Sequence, residues 1–332
     1  MDQVFTFEIT PEEAGKSLVR VILRRRPDLS SAAVFQALRK RDIKLNGKRP
    51  RADQAVSRGD QVSLYGLPER TGKVSRPALY QVVHQTDQLL IVNKQPGLAV
   101  SAGPDGEPGL LEQVQADLNW PQACLCHRLD RQTGGLLLLA AHPDLCLDIR
   151  RQMQQGAVVK RYACLVRGVP DQGRAMRCHD GSRMLELTGY LEKQAGQSMV
   201  YLHNQKQPGD LPVVTRYRVI RIFAQAGPDG SDVAQLEIEL VTGRTHQIRA
   251  HLAHIGHPLI GDGKYGRNSF NRLFRGPEGP IARQQLYAVS LIFSHQLKGP
   301  LAELAGRTFT VPAVYDLDLS KTSSRSSSAD RQ

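Results

Sequence analysis

Gly134-Gly135 is followed without a break by Leu136-Leu137-Leu138-Leu139-Ala140. Two glycines open a turn, and an apolar run of strand length reads as a strand buried on both faces of a central sheet. Immediately upstream stand His127-Arg128-Leu129-Asp130-Arg131-Gln132-Thr133. One carboxylate, flanked by two arginines, therefore sits in a loop on rigid scaffold, where catalytic groups tend to lie. The arginines favour an ionised carboxylate, suited to a nucleophile or base rather than an acid. A structural ion pair or a turn residue would be written with the same residues.

The 332 residues suffice for one large domain and a small one, and 40% hydrophobic content supplies a real core. A net charge of +12 favours a polyanionic partner, nucleic acid or an anionic membrane surface. No apolar run approaches the ~20 residues that span a bilayer. Met1 to Thr10 carries Asp2 and Glu8 and lacks the regions of a signal peptide, so the expected location is cytoplasmic. The five cysteines (124, 126, 146, 164 and 178) have neither disulfide-scaffold nor zinc spacing and read as reduced, mostly buried thiols.

Residues 1–66 read as a small basic α/β domain. Leu18, Val21 and Ile22 fall at helical spacing and Pro27 ends that helix; Ser30 or Ser31 caps a second helix through Val34, Leu38 and Lys40. Asn46-Gly47 predicts a tight turn between Ile43-Lys44-Leu45 and Lys48-Arg49-Pro50, and Gln61 to Leu64 forms a further strand. Arg24, Arg25, Arg26, Lys40, Arg41 and Lys48 are the expected phosphate contacts. A charge run by itself is more often a solvated face. Residues 67–78, with Pro68, Gly72 and Pro77, read as a linker, 79–319 as the main domain and the Ser-rich 320–332 as a disordered tail.

Three stretches of the main domain carry possible chemistry. His127 to Ala140 is the first. Lys160-Arg161-Tyr162-Ala163-Cys164-Leu165-Val166 is a strand, in which Tyr162 by itself reads as an ordinary core or interface tyrosine. Gly243-Arg244-Thr245-His246-Gln247-Ile248-Arg249 opens a helix from His246 to Ile255, capped by Thr245 or Thr242, whose N-terminal amides would face an anion. His251 and His254 share a helix face as a zinc site would need, but Asp262 is the nearest carboxylate and no metal is expected.

These stretches resemble the RluA family of pseudouridine synthases. His127 to Ala140 matches the pattern H-R-L-D-x-x-T-S-G-L-L-L, except that Gly134 stands where Ser is usual, a change expected to be tolerated. Residues 243–249 match G-R-[ST]-H-Q-[IL]-R throughout, and Gly256 to Asp262 matches G-H-P-[IL]-x-G-D. Asn93-Lys94-Gln95-Pro96-Gly97 resembles a strand end that braces the active-site floor. Gln284-Gln285-Leu286-Tyr287-Ala288 resembles R-Q-x-L-H-A, with Tyr287 in place of His. The first 65 residues resemble, more loosely, the small RNA-binding domain of ribosomal protein S-four.

The resemblance implies an α+β fold with a mixed, mostly antiparallel curved sheet. It implies isomerisation of uridines in RNA, in large-subunit rRNA or tRNA, by a monomer without cofactor; neither a P-loop nor a dinucleotide motif is present. Asp130 is then the nucleophile, Tyr162 the stacking residue and base, and Arg244 the partner of Asp130. Arg128 fills the space of the flipped nucleotide and Leu286 packs on the uracil. A catalytically inactive RNA-binding or ribosome-associated protein is the alternative; retention of Asp130, Tyr162 and Arg244 argues against it.

Overall fold

The computed structural model describes residues 4–26, 29, 31–51, 54–66, 79–103, 107–178, 180–192, 199–266, 268–276, 279–281, 283–317, 319 and 324–326. The chain divides into two compact units: Met1–Ala78 with Ala102–Pro108, and Leu79–Ser101 with Gly109–Gln332.

In the first unit, helices α1 (Leu18–Arg25) and α2 (Ser31–Lys40) accompany strands β1 (Val4–Glu8), β2 (Ile43–Leu45) and β3 (Gln61–Tyr65), ordered β1-β3-β2. Leu18, Val21 and Ile22 of α1 and Val34 and Leu38 of α2 are buried in one core with Ile43, Val62 and Leu64. Asn46 and Gly47 both take positive φ, 51° and 74°, as a two-residue turn with inverted twist requires. The expected hairpin stops there. Only Leu45 and Lys48 bridge across the turn, and β2 pairs instead with β3, whose alternating Val62 and Leu64 offer it an apolar face. Pro27 and Ser30 lie outside the described residues, as does the expected linker at 67–78.

The second unit is built on one large sheet. Its strands are β4 (Tyr80–Gln85), β5 (Leu89–Lys94), β6 (Gly134–Ala140), β7 (Val158–Arg167), β8 (Arg183–Glu192), β9 (Tyr201–His203), β10 (Leu211–Phe223), β11 (Val233–Leu240) and β12 (Leu286–Phe293). They run in the order β9-β8-β10-β11-β7-β12-β6-β5-β4, with short strands attached along this path and the two ends unjoined. All neighbours in the path are antiparallel except β12 and β6. This is the mixed α+β architecture, mostly antiparallel, that the family resemblance implies. Helices α3 (Leu110–Asp117), α4 (Pro143–Gln154) and α5 (Gln247–His254) pack with it, beside a short helix at Asn268–Asn271 and a 3-10 turn at Gly299–Leu304. Within the tail expected to be disordered, Ser324–Ser326 pairs with β10; the rest of the tail lies outside the described residues.

Strand alternation divides the core between the two faces of the sheet. Leu90, Val92, Leu137 and Leu139 join one cluster, while Leu89, Ile91, Leu136 and Leu138 join another. All eight are wholly buried. At about 2 kcal/mol for each such side chain, β5 and β6 anchor the loop that precedes β6. Gly135 needs its missing side chain: φ is +108°, and a Cβ would lie 2.2 Å from the carbonyl oxygen of Ala288.

Candidate active site

The loop before β6 is held by its own backbone. The Thr133 amide donates to the Asp130 carbonyl (3.0 Å), and Gln284 Nε2 donates to Thr133 Oγ1 (2.8 Å). Lys94, wholly buried, gives its three ammonium hydrogens to the carbonyls of Gln95 (3.0 Å), Leu98 (2.9 Å) and Arg131 (3.1 Å). Burial pulls this lysine down to about 7, with Asp130 acting in the opposite direction. Arg131 Nε donates to Gly97 O (3.0 Å). His127, which opens the motif, is also structural. Its Nε2 accepts the Leu138 amide (3.1 Å), and burial lowers it to about 3.

The cation on Asp130 comes from elsewhere. Arg249 Nη1 donates to Asp130 Oδ2 at 2.9 Å, while its Nε and Nη2 grip Asp262 at 2.7 and 2.9 Å. Burial opposes ionisation of Asp262, yet the Arg249 hydrogen bonds and the Tyr265 and Lys264 amides outweigh it and hold the carboxyl below its usual range. The pairing expected for Arg244 is thus corrected. Arg244 is exposed at the start of the turn, its amide bonded to Gln247 Oε1, and no ion pair joins it to Asp130 among the described residues. The reason is register: α5 begins at Gln247, so Arg249 lies inside its first turn, whereas Arg244 precedes the helix.

The expected threonine cap is also absent. His246 holds the N-cap position with φ 53°, and Thr242 Oγ1 instead donates to Gln247 Oε1 (2.8 Å) and accepts the Val214 amide (2.9 Å). The His246 ring lies between Tyr265 Oη, 3.1 Å from Nδ1, and Asp130 Oδ2, 3.8 Å from Nε2. His251 pairs with Thr215 Oγ1, His254 with Asn204 Oδ1 and His257 with the Arg167 carbonyl. Among the described residues no group of His, Cys, Asp or Glu is arranged to hold a metal.

A cleft of about 370 Å3 opens over Asp130, lined also by Arg128, Arg131, His246, Arg249, Lys264 and Arg283. Among the described residues, Asp130 is the only carboxylate in its wall. A smaller recess of about 50 Å3 adjoins it, bounded by Asp130, Thr133, Tyr162, Leu286, Arg244 and Arg249. Its apolar walls, Tyr162 on β7 and Leu286 on β12, come from neighbouring strands and are both buried. Burial and then Asp130 push the Tyr162 phenol well above the ordinary tyrosine range, so it is neutral at physiological pH.

Asp130, Tyr162, Leu286, Arg128 and Arg244 therefore meet around one site. Arg249, Asp262, His246 and Tyr265 were not singled out as site residues from sequence. A signal existed: Arg249 follows His246 by one helical turn, and such pairs share a face.

In the first unit the basic residues separate. Arg24, Lys40, Arg41 and Lys48 are exposed. Arg25 is held by Glu13 through Nε and Nη2, both at 2.8 Å. Arg26 is 4% exposed, its guanidinium over the Phe5 ring. The expectation that Arg25 and Arg26 meet phosphate is thus corrected by intramolecular packing.

The described residues include no helix long and apolar enough to cross a membrane. Ribosomal large subunit pseudouridine synthase C of Vibrio cholerae is 30% identical over 308 residues, covering 88% of this chain and 90% of that protein. The Escherichia coli protein of the same name is 28% identical, covering 89% and 90%. Among solved structures, human RNA pseudouridylate synthase domain containing 4 aligns with a TM-score of 0.49 at 22% identity, over 70% of this chain and 88% of that one. The sequence model of RNA pseudouridylate synthases matches residues 88–254, half of the chain, which therefore belongs to the RNA pseudouridylate synthase family.

Proposed function

We propose that this synthase acts on large-subunit ribosomal RNA, with Asp130 as nucleophile, Tyr162 against the target base and Arg249 orienting the carboxylate. The observation that carries the reading is the state of Asp130. Its side chain is 22% exposed in a cationic cleft; Arg249 engages Oδ2, while Oδ1 accepts no hydrogen bond among the described residues. One oxygen is fixed and the other is open to a nucleotide. The choice of rRNA over tRNA is supported by the names of the relatives.

The reaction breaks the bond from uracil N1 to C1′ and forms one from C5 to C1′. The base turns in between; C5 loses its proton and N1 gains one. Asp130 adds to the sugar or the base, or assists loss of a sugar proton. A neutral Tyr162 phenol can accept a proton only while passing its own onward, and Asp130 is the charged neighbour that raises it. Leu286 packs against the uracil, and Arg128, exposed at the cleft mouth, enters the space that a flipped nucleotide leaves. Arg244, on the wall of the recess, contacts the RNA rather than Asp130.

The first unit we read as the ribosomal-protein-S-four-like RNA anchor. Two short helices, the Asn46-Gly47 turn and the exposed Arg24, Lys40, Arg41 and Lys48 support this. An RNA substrate accords with a cytoplasmic location.

The test uses rRNA transcripts carrying tritium at uridine C5, since every turnover releases that hydrogen. Asp130→Asn keeps the shape of the site without the nucleophile. It is expected to release no tritium while binding the transcript nearly as well as the parent. Release at the parent rate would remove Asp130 from the reaction. Tyr162→Phe is expected to lose kcat far more than affinity. Release from tRNA transcripts alone would reassign the substrate.

A further inference from the structure

His246 pays a conformational cost to be where it is. A non-glycine residue in the left-handed region is disfavoured by about 1 kcal/mol, and glycine would make the same turn freely. The ring must account for the residue. It lies at the edge of both the cleft and the recess, 13% exposed, between Tyr265 and Asp130.

The hydrogen bonds around Tyr265 bias which imidazole nitrogen carries the proton. The Val200 amide donates to Tyr265 Oη at 2.9 Å. The hydroxyl hydrogen is then free to donate to His246 Nδ1, 3.1 Å away, which makes Nδ1 an acceptor and leaves the hydrogen on Nε2. Nε2 lies 3.8 Å from Asp130 Oδ2, and an N–H near a carboxylate is favourable where a lone pair would be repelled. Satisfaction of Tyr265 and attraction to Asp130 thus select the same tautomer. Burial also favours the neutral ring, lowering His246 below the usual imidazole range; Asp130 and Asp262 oppose this, Arg249 and Lys264 reinforce it. Tyr265 has two further attachments. Its amide donates to Asp262 Oδ1 (3.1 Å), and its ring lies under the Arg249 guanidinium at 5.1 Å.

We propose that His246 is a positioning residue for Asp130: its Nε2–H, set in that tautomer by the Tyr265 hydroxyl, closes onto Oδ2 beside Arg249 and leaves Oδ1 as the attacking oxygen. The 3.8 Å separation is too long for a hydrogen bond in the free protein. Such contacts commonly tighten when the substrate fills a site. A carboxylate held by one N–H can swing about that bond; two donors from different directions fix its plane. The inference rests on Asp130 being the nucleophile.

The experiment has two arms, both on the full-length chain. In the first, tritium release from the rRNA transcript is measured for His246→Ala, His246→Gln and Tyr265→Phe. Loss of a hydrogen bond to a charged group predicts that His246→Ala lowers kcat about 30-fold with KM within about twofold. The Gln amide can donate in place of Nε2–H, so His246→Gln should stay within about fivefold of the parent. Tyr265→Phe keeps the ring under Arg249 and removes only the hydroxyl; it should lower kcat, but have no further effect in the His246→Gln background. In the second arm, nitrogen NMR of histidine-labelled protein, with His246→Gln identifying the signal, should show the Nε2–H tautomer in the parent and a mixture in Tyr265→Phe.

An Nδ1–H tautomer in the parent, or His246→Ala with parental kcat beside an inactive Asp130→Asn, would overturn the role of His246 alone. An Asp130→Asn protein that turns over normally would overturn the underlying reading as well. Gln failing as badly as Ala would make His246 a packing residue.

Discussion

Arg249 meets the buried carboxylate of Asp262 through two hydrogen bonds and has one nitrogen left for Asp130. A planar guanidinium can serve both carboxylates in one orientation; an ammonium is a point charge and cannot. The Asp262 side chain is wholly buried, so losing its partner strands a charge, at a cost of about 3–5 kcal/mol. Arg249→Lys is expected to lower the urea midpoint and to reduce kcat more than about 100-fold. Arg244→Lys, changing an exposed side chain, should leave the midpoint in place and act mainly on KM. Equal effects of the two would return Arg244 to the role that sequence suggested.

Two departures from the family pattern meet in space. Gly134 replaces a usual Ser and Tyr287 a usual His, and they are register partners on β6 and β12. A Cβ on residue 134 would lie 2.5 Å from Tyr287 Cε1 and 3.0 Å from Pro96 Cγ. The tyrosine ring occupies the space of the missing side chain. Gly134→Ser alone should therefore destabilise by about 1–3 kcal/mol, the usual range for overpacking. Tyr287→His in the same chain should recover part of this loss. A double-mutant cycle in urea measures the coupling, expected at about 1 kcal/mol or more; additive effects would make the two departures unrelated.

How much of this was legible in sequence follows from distance along the chain. The Leu run of β6 and the helices at Leu18 and Val34 depend on local spacing and were read directly, whereas the turn expected at Gly134-Gly135 falls earlier, at Asp130 to Thr133, and both glycines belong to β6. Tyr162 and Leu286 came from resemblance, since a buried aromatic or leucine on a strand looks like core until its neighbours are known. The Asp130 partner was missed because two arginines five residues apart carry the same charge. Only the onset of α5 at Gln247, set by a left-handed histidine rather than a threonine cap, decides between them. Arg25 and Arg26 were misread for a related reason: charge is visible in sequence, but the Glu13 and Phe5 that engage it arrive through β1 and the turns after it.

Glu13 offers a test by pH. Its carboxyl is held at about 2, first by the Arg25 hydrogen bond, against burial and with help from Thr10. A carboxylate depressed on folding adds stability that is complete above its unfolded value, near 4.3, and is lost as pH falls toward the folded value. The stability of the first unit should thus decline between about pH 4.5 and 2, by at most about 2 kcal/mol once screening at the partly exposed Arg25 is allowed for. Glu13→Gln should flatten this segment of the curve. Acid titration of the Phe5 and Phe7 ring signals by NMR reads it, and a Gln variant with the parental slope would remove Glu13 from the account.

The exposed cations of the first unit have two competing explanations. Lys40 and Arg24 lie in the last turns of α2 and α1, where positive charge favours the helix by about 0.3–1 kcal/mol each. Helix stabilisation requires no RNA. Phosphate binding instead releases counterions, so each lost contact reduces the slope of log affinity against log salt by about 0.7–0.9. Changing Arg24, Lys40, Arg41 and Lys48 together to Gln should weaken binding of structured rRNA transcripts and make that slope shallower by about 3. Turnover on short single-stranded uridine oligomers should be affected much less, because the cleft over Asp130 is untouched. Arg26→Gln is the control: its buried guanidinium makes it a stability mutation, expected to lower the melting temperature of the first unit. If the quadruple variant keeps the parental salt slope and only loses helix content, the cations serve the helices, and the rRNA anchor lies elsewhere in the chain.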